Sequence, residues 1–121
     1  MAVGVWAILP PYVGPLLGLE LEVSATVEAI DHVLPGVLTV IAAGAALALA
    51  RRGRADSVPA LAALAVCALA GLFQTVTHVP LVADAGSALA PVGSVVLHTS
   101  PGPVLLVLSL WLLLRPLPEE R

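Results

Sequence analysis

Three histidines are the most chemically capable side chains in this sequence, and two of them sit in a repeated pentad. His32-Val33-Leu34-Pro35-Gly36 and His98-Thr99-Ser100-Pro101-Gly102 share the pattern His-x-x-Pro-Gly, 66 residues apart. His78 is the third, in His78-Val79-Pro80-Leu81. A neutral imidazole offers one lone pair to a metal while its other nitrogen bonds to the protein, which is why histidine is the commonest metal ligand. Glu28 lies one helical turn before His32, Asp31 adjoins it, and Asp84 follows His78 closely. Carboxylates so placed are suited to orienting imidazole rings from behind. Three imidazoles with such neighbours match copper or zinc, and two facing imidazoles match the iron of haem b.

A plainer reading stands beside this one. Histidine is tolerated at membrane interfaces, and beside a proline-broken helix end it can satisfy a free backbone group. No closely spaced ligand pair of the His-Glu-x-x-His or Cys-x-x-Cys kind is present. Gln74, Thr75 and Thr77 fall within one turn of His78 and are placed to line the same cavity. Thr39, Ser94 and Ser109 read as residues that bond to backbone or bridge helices. Cys67 is the only cysteine, so no intrachain disulfide can form, and its apolar surroundings suggest a small buried side chain. There is no glycine-flanked serine elbow and no glycine-rich phosphate loop. An enzyme is the less favoured reading.

The elements that hold these residues must cross lipid. The chain has 121 residues, 60% of them hydrophobic and only 11% charged, with a mean hydropathy of +1.06. Soluble domains carry about a quarter charged residues. Charges cluster as Glu20, Glu22, Glu28 and Asp31, then Arg51, Arg52, Arg54 and Asp56, then Asp84, then Arg115, Glu119, Glu120 and Arg121. Four uncharged runs lie between them: Ala2–Leu19, Val33–Ala50, Ser57–Ala83 and Ala85–Leu114. A span needs about 20 apolar residues. Three of the runs accommodate one easily, whereas Pro10, Pro11 and Pro15 interrupt the first.

The sequence therefore predicts an all-α integral membrane protein, a four-helix transmembrane bundle, with three spans as the alternative. Every arginine lies in the 51–54 loop or near the C-terminus, and the charged groups between are acidic. The positive-inside rule puts the arginines and both termini in the cytoplasm of a prokaryotic inner or plasma membrane. Trp6 and Trp111 fall near that predicted interface. The N-terminal run lacks a basic start and is expected to be retained rather than cleaved. With a net charge of −3, no nucleic-acid partner is expected.

The whole chain, 1–121, reads as a single transmembrane domain. Val13-Gly14-Pro15-Leu16 precedes the first pentad much as His78-Val79-Pro80-Leu81 precedes the second, suggesting two repeated two-helix units. Unit one would be 2–52 and unit two 58–116, with a cytoplasmic linker at 52–57 and a short tail at 117–121. Asp31 and Ser100 read as caps starting the second and fourth spans. The apolar outer segments Leu19–Asp31 and Val82–Leu97 read as short interfacial helices. Flat Ala/Gly/Leu faces favour a non-enzymatic packing or accessory subunit of a homo-oligomer or larger membrane complex. The alternative is a metal- or haem-binding membrane protein, redox- or quinone-linked, using His32, His78 and His98 with Glu28, Asp31 and Asp84 behind them.

Overall fold

A computed structural model describes residues 1–17, 24–87 and 90–115. Glu20 and Glu22 of the acidic cluster, and the tail 117–121, lie outside the described residues. Among the described residues every regular element is helical: α1 (Ala2–Ile8), α2 (Pro10–Val13), a 3-10 turn (Pro15–Leu17), α3 (Ala25–Ala50), α4 (Val58–Thr77), α5 (Val79–Ala83) and α6 (Val92–Leu114). Helices α3, α4 and α6 have 26, 20 and 23 residues and are long and apolar enough to cross a membrane. The first run behaves differently. Leu9 N–H turns back to the Trp6 carbonyl at 3.1 Å, and the prolines at 10 and 11 restart the chain as α2.

The prolines in the long helices are absorbed rather than used as ends. Helix α3 starts at Ser24, whose Oγ accepts from Val27 N–H at 3.3 Å, and not at Asp31. It widens into one π turn at Ala29–Val33, with Leu34 N–H reaching the Ala29 carbonyl, and then continues through Pro35. Helix α6 starts at Val92; Ser100 forms a turn inside it, before Pro101. The described parts of the two expected outer segments thus largely extend the spans: Ala25–Asp31 belongs to α3 and Val92–Leu97 to α6. Among the described residues of those segments, only α5 stands as a separate short helix.

Small or polar residues pack between the helices and large aliphatics face outward. Ala42, Cys67, Ala70 and Leu105 form the core, while Ile41 and Leu69 are each 65% exposed. In water that pattern would be costly; in hydrocarbon it costs nothing, and close helix approach supplies the attraction. Two glycine crossings carry that approach. A Cβ on Gly71 would lie 2.6 Å from Leu106 N, and one on Gly102 would lie 2.9 Å from Thr75 N, so α4 and α6 touch backbone to backbone. A Cβ on Gly36 would lie 3.0 Å from the Gly4 carbonyl, and one on Gly4 2.8 Å from Thr39 Cγ2, which seats α1 on α3.

The bundle has two chemically distinct ends. At one, Gly53 in a left-handed conformation (φ 70°) closes the arginine loop, and Arg115 Nη2 lies 3.4 Å from Asp56 Oδ1. Met1, Ala50, Ala55 and Arg115 line one cavity that extends from this end to the middle of α3, where Met1 Sδ lies 4.0 Å from the Cβ position of Gly44. The opposite end holds the histidines.

Candidate metal centre

Each histidine reaches that end by a different local device. His32 sits in the π turn of α3, His78 ends α4 just before Pro80, and His98 lies one turn before Pro101 in α6. All three are buried, with 1%, 5% and 8% of their surface exposed. Their rings pack against one another with centroids 4.3, 4.9 and 5.2 Å apart.

The nitrogens converge. His32 Nε2 is 2.9 Å from His98 Nε2 and 3.1 Å from His78 Nε2, and one ligand atom from each ring falls within 4.8 Å of the others. Hydrogen bonds on the far side of two rings assign their tautomers. His32 Nδ1 donates to the Ala7 carbonyl at 3.0 Å. His78 Nδ1 donates to the Gln74 carbonyl at 2.7 Å, with the Thr77 hydroxyl at 3.1 Å. In the neutral rings both Nε2 atoms then carry lone pairs and face each other. A proton on His98 Nε2 can satisfy one of these acceptors, not the contact between them. A cation among the three nitrogens satisfies them all.

Metal–imidazole bonds of about 2.0–2.1 Å in a tetrahedral arrangement place nitrogens about 3.3 Å apart. The 2.9 and 3.1 Å pairs are near this, and the widest pair, within 4.8 Å, has to close towards it around an ion. Glu28 supplies charge beside them. Its Oε2 lies 3.8 Å from His32 Nε2 and its Oε1 3.8 Å from His98 Nε2, and Oε2 is buried with no hydrogen-bond partner. Half-buried Asp31 helps line the same cavity, of 190 Å³, together with Val27, Thr77, Pro80 and Leu81. Asp84 is not among the lining residues; it is exposed in the turn after α5.

The remaining polar residues divide as their chemistry suggests. Thr39 Oγ1 donates to the Pro35 carbonyl at 2.8 Å, and Thr75 Oγ1 to the Gly71 carbonyl at 2.7 Å; both are intrahelical. Of the three polar residues expected to line the histidine cavity only Thr77 does; Gln74 instead donates from Nε2 to the Asp31 carbonyl at 3.0 Å, tying α4 to the π turn. Two participants had no side-chain signature in the sequence, the backbone carbonyls of Ala7 and Gln74. The signal for the first was Pro11, which has no N–H to offer Ala7.

No protein-family model, curated protein or solved structure matches the chain.

Proposed function

We propose that this protein is a multi-pass membrane protein that binds one divalent transition-metal ion through His32, His78 and His98, with Glu28 beside the ion. The carrying observation is the contact of His32 Nε2 with His98 Nε2 at 2.9 Å and His78 Nε2 at 3.1 Å, while Nδ1 of His32 and His78 is committed to carbonyls. A subunit whose only task is helix packing has no use for converging imidazole lone pairs in a membrane. Its apolar outer faces serve lipid and partner helices equally well, so they do not distinguish an accessory subunit from a metal protein.

Charge favours a divalent ion. With neutral imidazoles, the carboxylates of Glu28 and Asp31 balance two positive charges, and buried charge near lipid is tolerated when so paired. Haem b fits less well. Two axial imidazole nitrogens stand about 4 Å apart across an iron, twice a metal–nitrogen bond of about 2.0 Å, with a porphyrin between them. Imidazole donors suit zinc, copper, nickel and iron(II).

Helix α1 is too short to be a further traverse: Met1 Sδ lies beside Gly44, mid-way along α3, and Ala7, about 9 Å further along a helix, is already at the histidine end. That supports the alternative of three spans, with the arginine end assigned to the cytoplasm and the metal site at the outer face. Parallels in packing support the two-unit repeat: Gly4, Ala7 and Ile8 in α1 correspond to Gly71, Gln74 and Thr75 in α4, each pair 67 residues apart. The first of each trio is a glycine at a helix crossing, and the second offers its carbonyl to a histidine ring.

The test is metal content and Co(II) binding of purified full-length protein. About one ion per chain is expected, with the d–d absorption of nitrogen-coordinated Co(II), and both should be lost in His32→Ala and His98→Ala. Protein that is metal-free as isolated and leaves added Co(II) and Zn(II) unbound at micromolar concentration overturns the proposal.

A further inference from the structure

The broken N-terminal helix has a role in the metal site. In an unbroken helix, the N–H of residue 11 would bond to the carbonyl of residue 7. Residue 11 is proline and has no N–H. Ala7 is wholly buried, so its carbonyl would otherwise go unpaired. Instead it accepts from His32 Nδ1 at 3.0 Å. The bond holds the proton on Nδ1 and turns the Nε2 lone pair towards His78 and His98. The position of that carbonyl is well defined, because the Gly4–Gly36 crossing seats α1 directly on the helix bearing His32.

Resting on the metal-binding reading above, we propose that α1 is a positioning element for the metal centre. In this role Pro11 leaves the Ala7 carbonyl free to orient His32. The neighbouring prolines have no such part. Pro10 also lacks an N–H, but the carbonyl it would have met, on Trp6, is taken by Leu9 N–H at 3.1 Å. Pro15 is exposed and starts the 3-10 turn beyond α2. The three prolines thus form an internal comparison: only one lies opposite a carbonyl that holds a ligand ring.

The experiment compares Pro11→Ala with Pro10→Ala and Pro15→Ala in the full chain in detergent micelles. The Pro11 variant restores an N–H that competes for the Ala7 carbonyl. One readout is the ¹⁵N spectrum of histidine-labelled, metal-free protein, which reports the tautomer of each ring. The other is Co(II) affinity. Expected are an Nδ1–H tautomer for His32 in the parent and both controls, a mixed or inverted tautomer in Pro11→Ala, and a fall of about 10–100-fold in Co(II) affinity in that variant alone, the usual size when a group orienting a ligand is lost. Should the Pro10 control fold poorly, the exposed Pro15 position still provides the comparison. If the parent binds Co(II) and Pro11→Ala matches it in tautomer and affinity, the positioning role is wrong and the metal reading survives. If the parent shows the Nδ1–H tautomer but binds no Co(II), the metal reading fails and this proposal falls with it.

Discussion

The carbonyl of Asp31 accepts a hydrogen bond from Nε2 of Gln74 at 3.0 Å, across the interface between α3 and α4. That carbonyl lacks its helical partner because residue 35 is proline. The Gln74 side chain therefore repairs the break that Pro35 makes, one residue away from His32. The same residue's backbone carbonyl accepts from His78 Nδ1. One residue of α4 thus braces two of the three metal-site histidines.

Replacing Gln74 with leucine removes the repair while retaining an apolar side chain of similar size. The Asp31 carbonyl is then left without its cross-helix donor, and the bundle should lose about 1–2 kcal/mol of stability, the range for a buried bond of this kind in a membrane setting. Detergent-titration unfolding of the metal-free protein measures it. A Gln74→Leu protein as stable as the parent would show that water or local relaxation replaces the bond.

Glycines at the crossings and elsewhere should separate sharply. Gly71→Ala would drive a Cβ to 2.6 Å from Leu106 N, a contact with backbone that no side-chain rotation relieves. Helices α4 and α6 must part, at a cost of about 1–3 kcal/mol. Gly44 lies in mid-helix with its nearest neighbour, Met1 Sδ, 4.0 Å from an added Cβ. Gly44→Ala should stabilise the helix by up to about 1 kcal/mol. Melting temperatures in one detergent compare them, and equal responses at the two sites would refute the close crossing.

Much of this was legible in residue types. The arginine-rich end, the three long apolar helices and the placing of His32, His78 and His98 at the other end follow from charge and apolar run length. The fourth span expected over the first run does not form as one long helix, because Pro10 and Pro11 divide it into α1 and α2. The start of α3 at Ser24 and of α6 at Val92 did not follow, because prolines 35 and 101 read as helix starts. Whether a proline ends a helix or is bridged depends on a donor such as the Gln74 amide arriving from another element, and that is a tertiary fact. Glu28 and Asp84 looked equivalent in sequence for a related reason. One stays on the same helix as His32 and faces its ring, whereas the chain after His78 turns through α5 and carries Asp84 into the exposed turn.

That difference predicts unequal effects of removing each charge. Glu28→Gln keeps the shape and deletes the negative charge beside two ligand nitrogens, so Zn(II) affinity should fall by about 10–100-fold. Asp84→Asn should leave it unchanged. Competition against a chromogenic chelator gives both values in the same buffer. Equal losses in the two variants would point to a diffuse field effect in place of a local contact.

Metal binding should also appear as stability. An ion that binds only the folded arrangement raises unfolding free energy as its logarithm of concentration, by about 2.7 kcal/mol at 100 times its dissociation constant. The three ligands lie on α3, α4 and α6, so the ion would link every long helix of the bundle at once. Zn(II) should therefore raise the melting temperature in a concentration-dependent way, and a chelator should reverse it. His78→Ala removes the link to α4 while leaving the short contact between His32 and His98. It should retain only a small part of the stabilisation, because two imidazoles hold an ion far more loosely than three. A thermal shift of the same size in parent and His78→Ala would mean that the ion binds elsewhere, and that the three converging nitrogens are not its site.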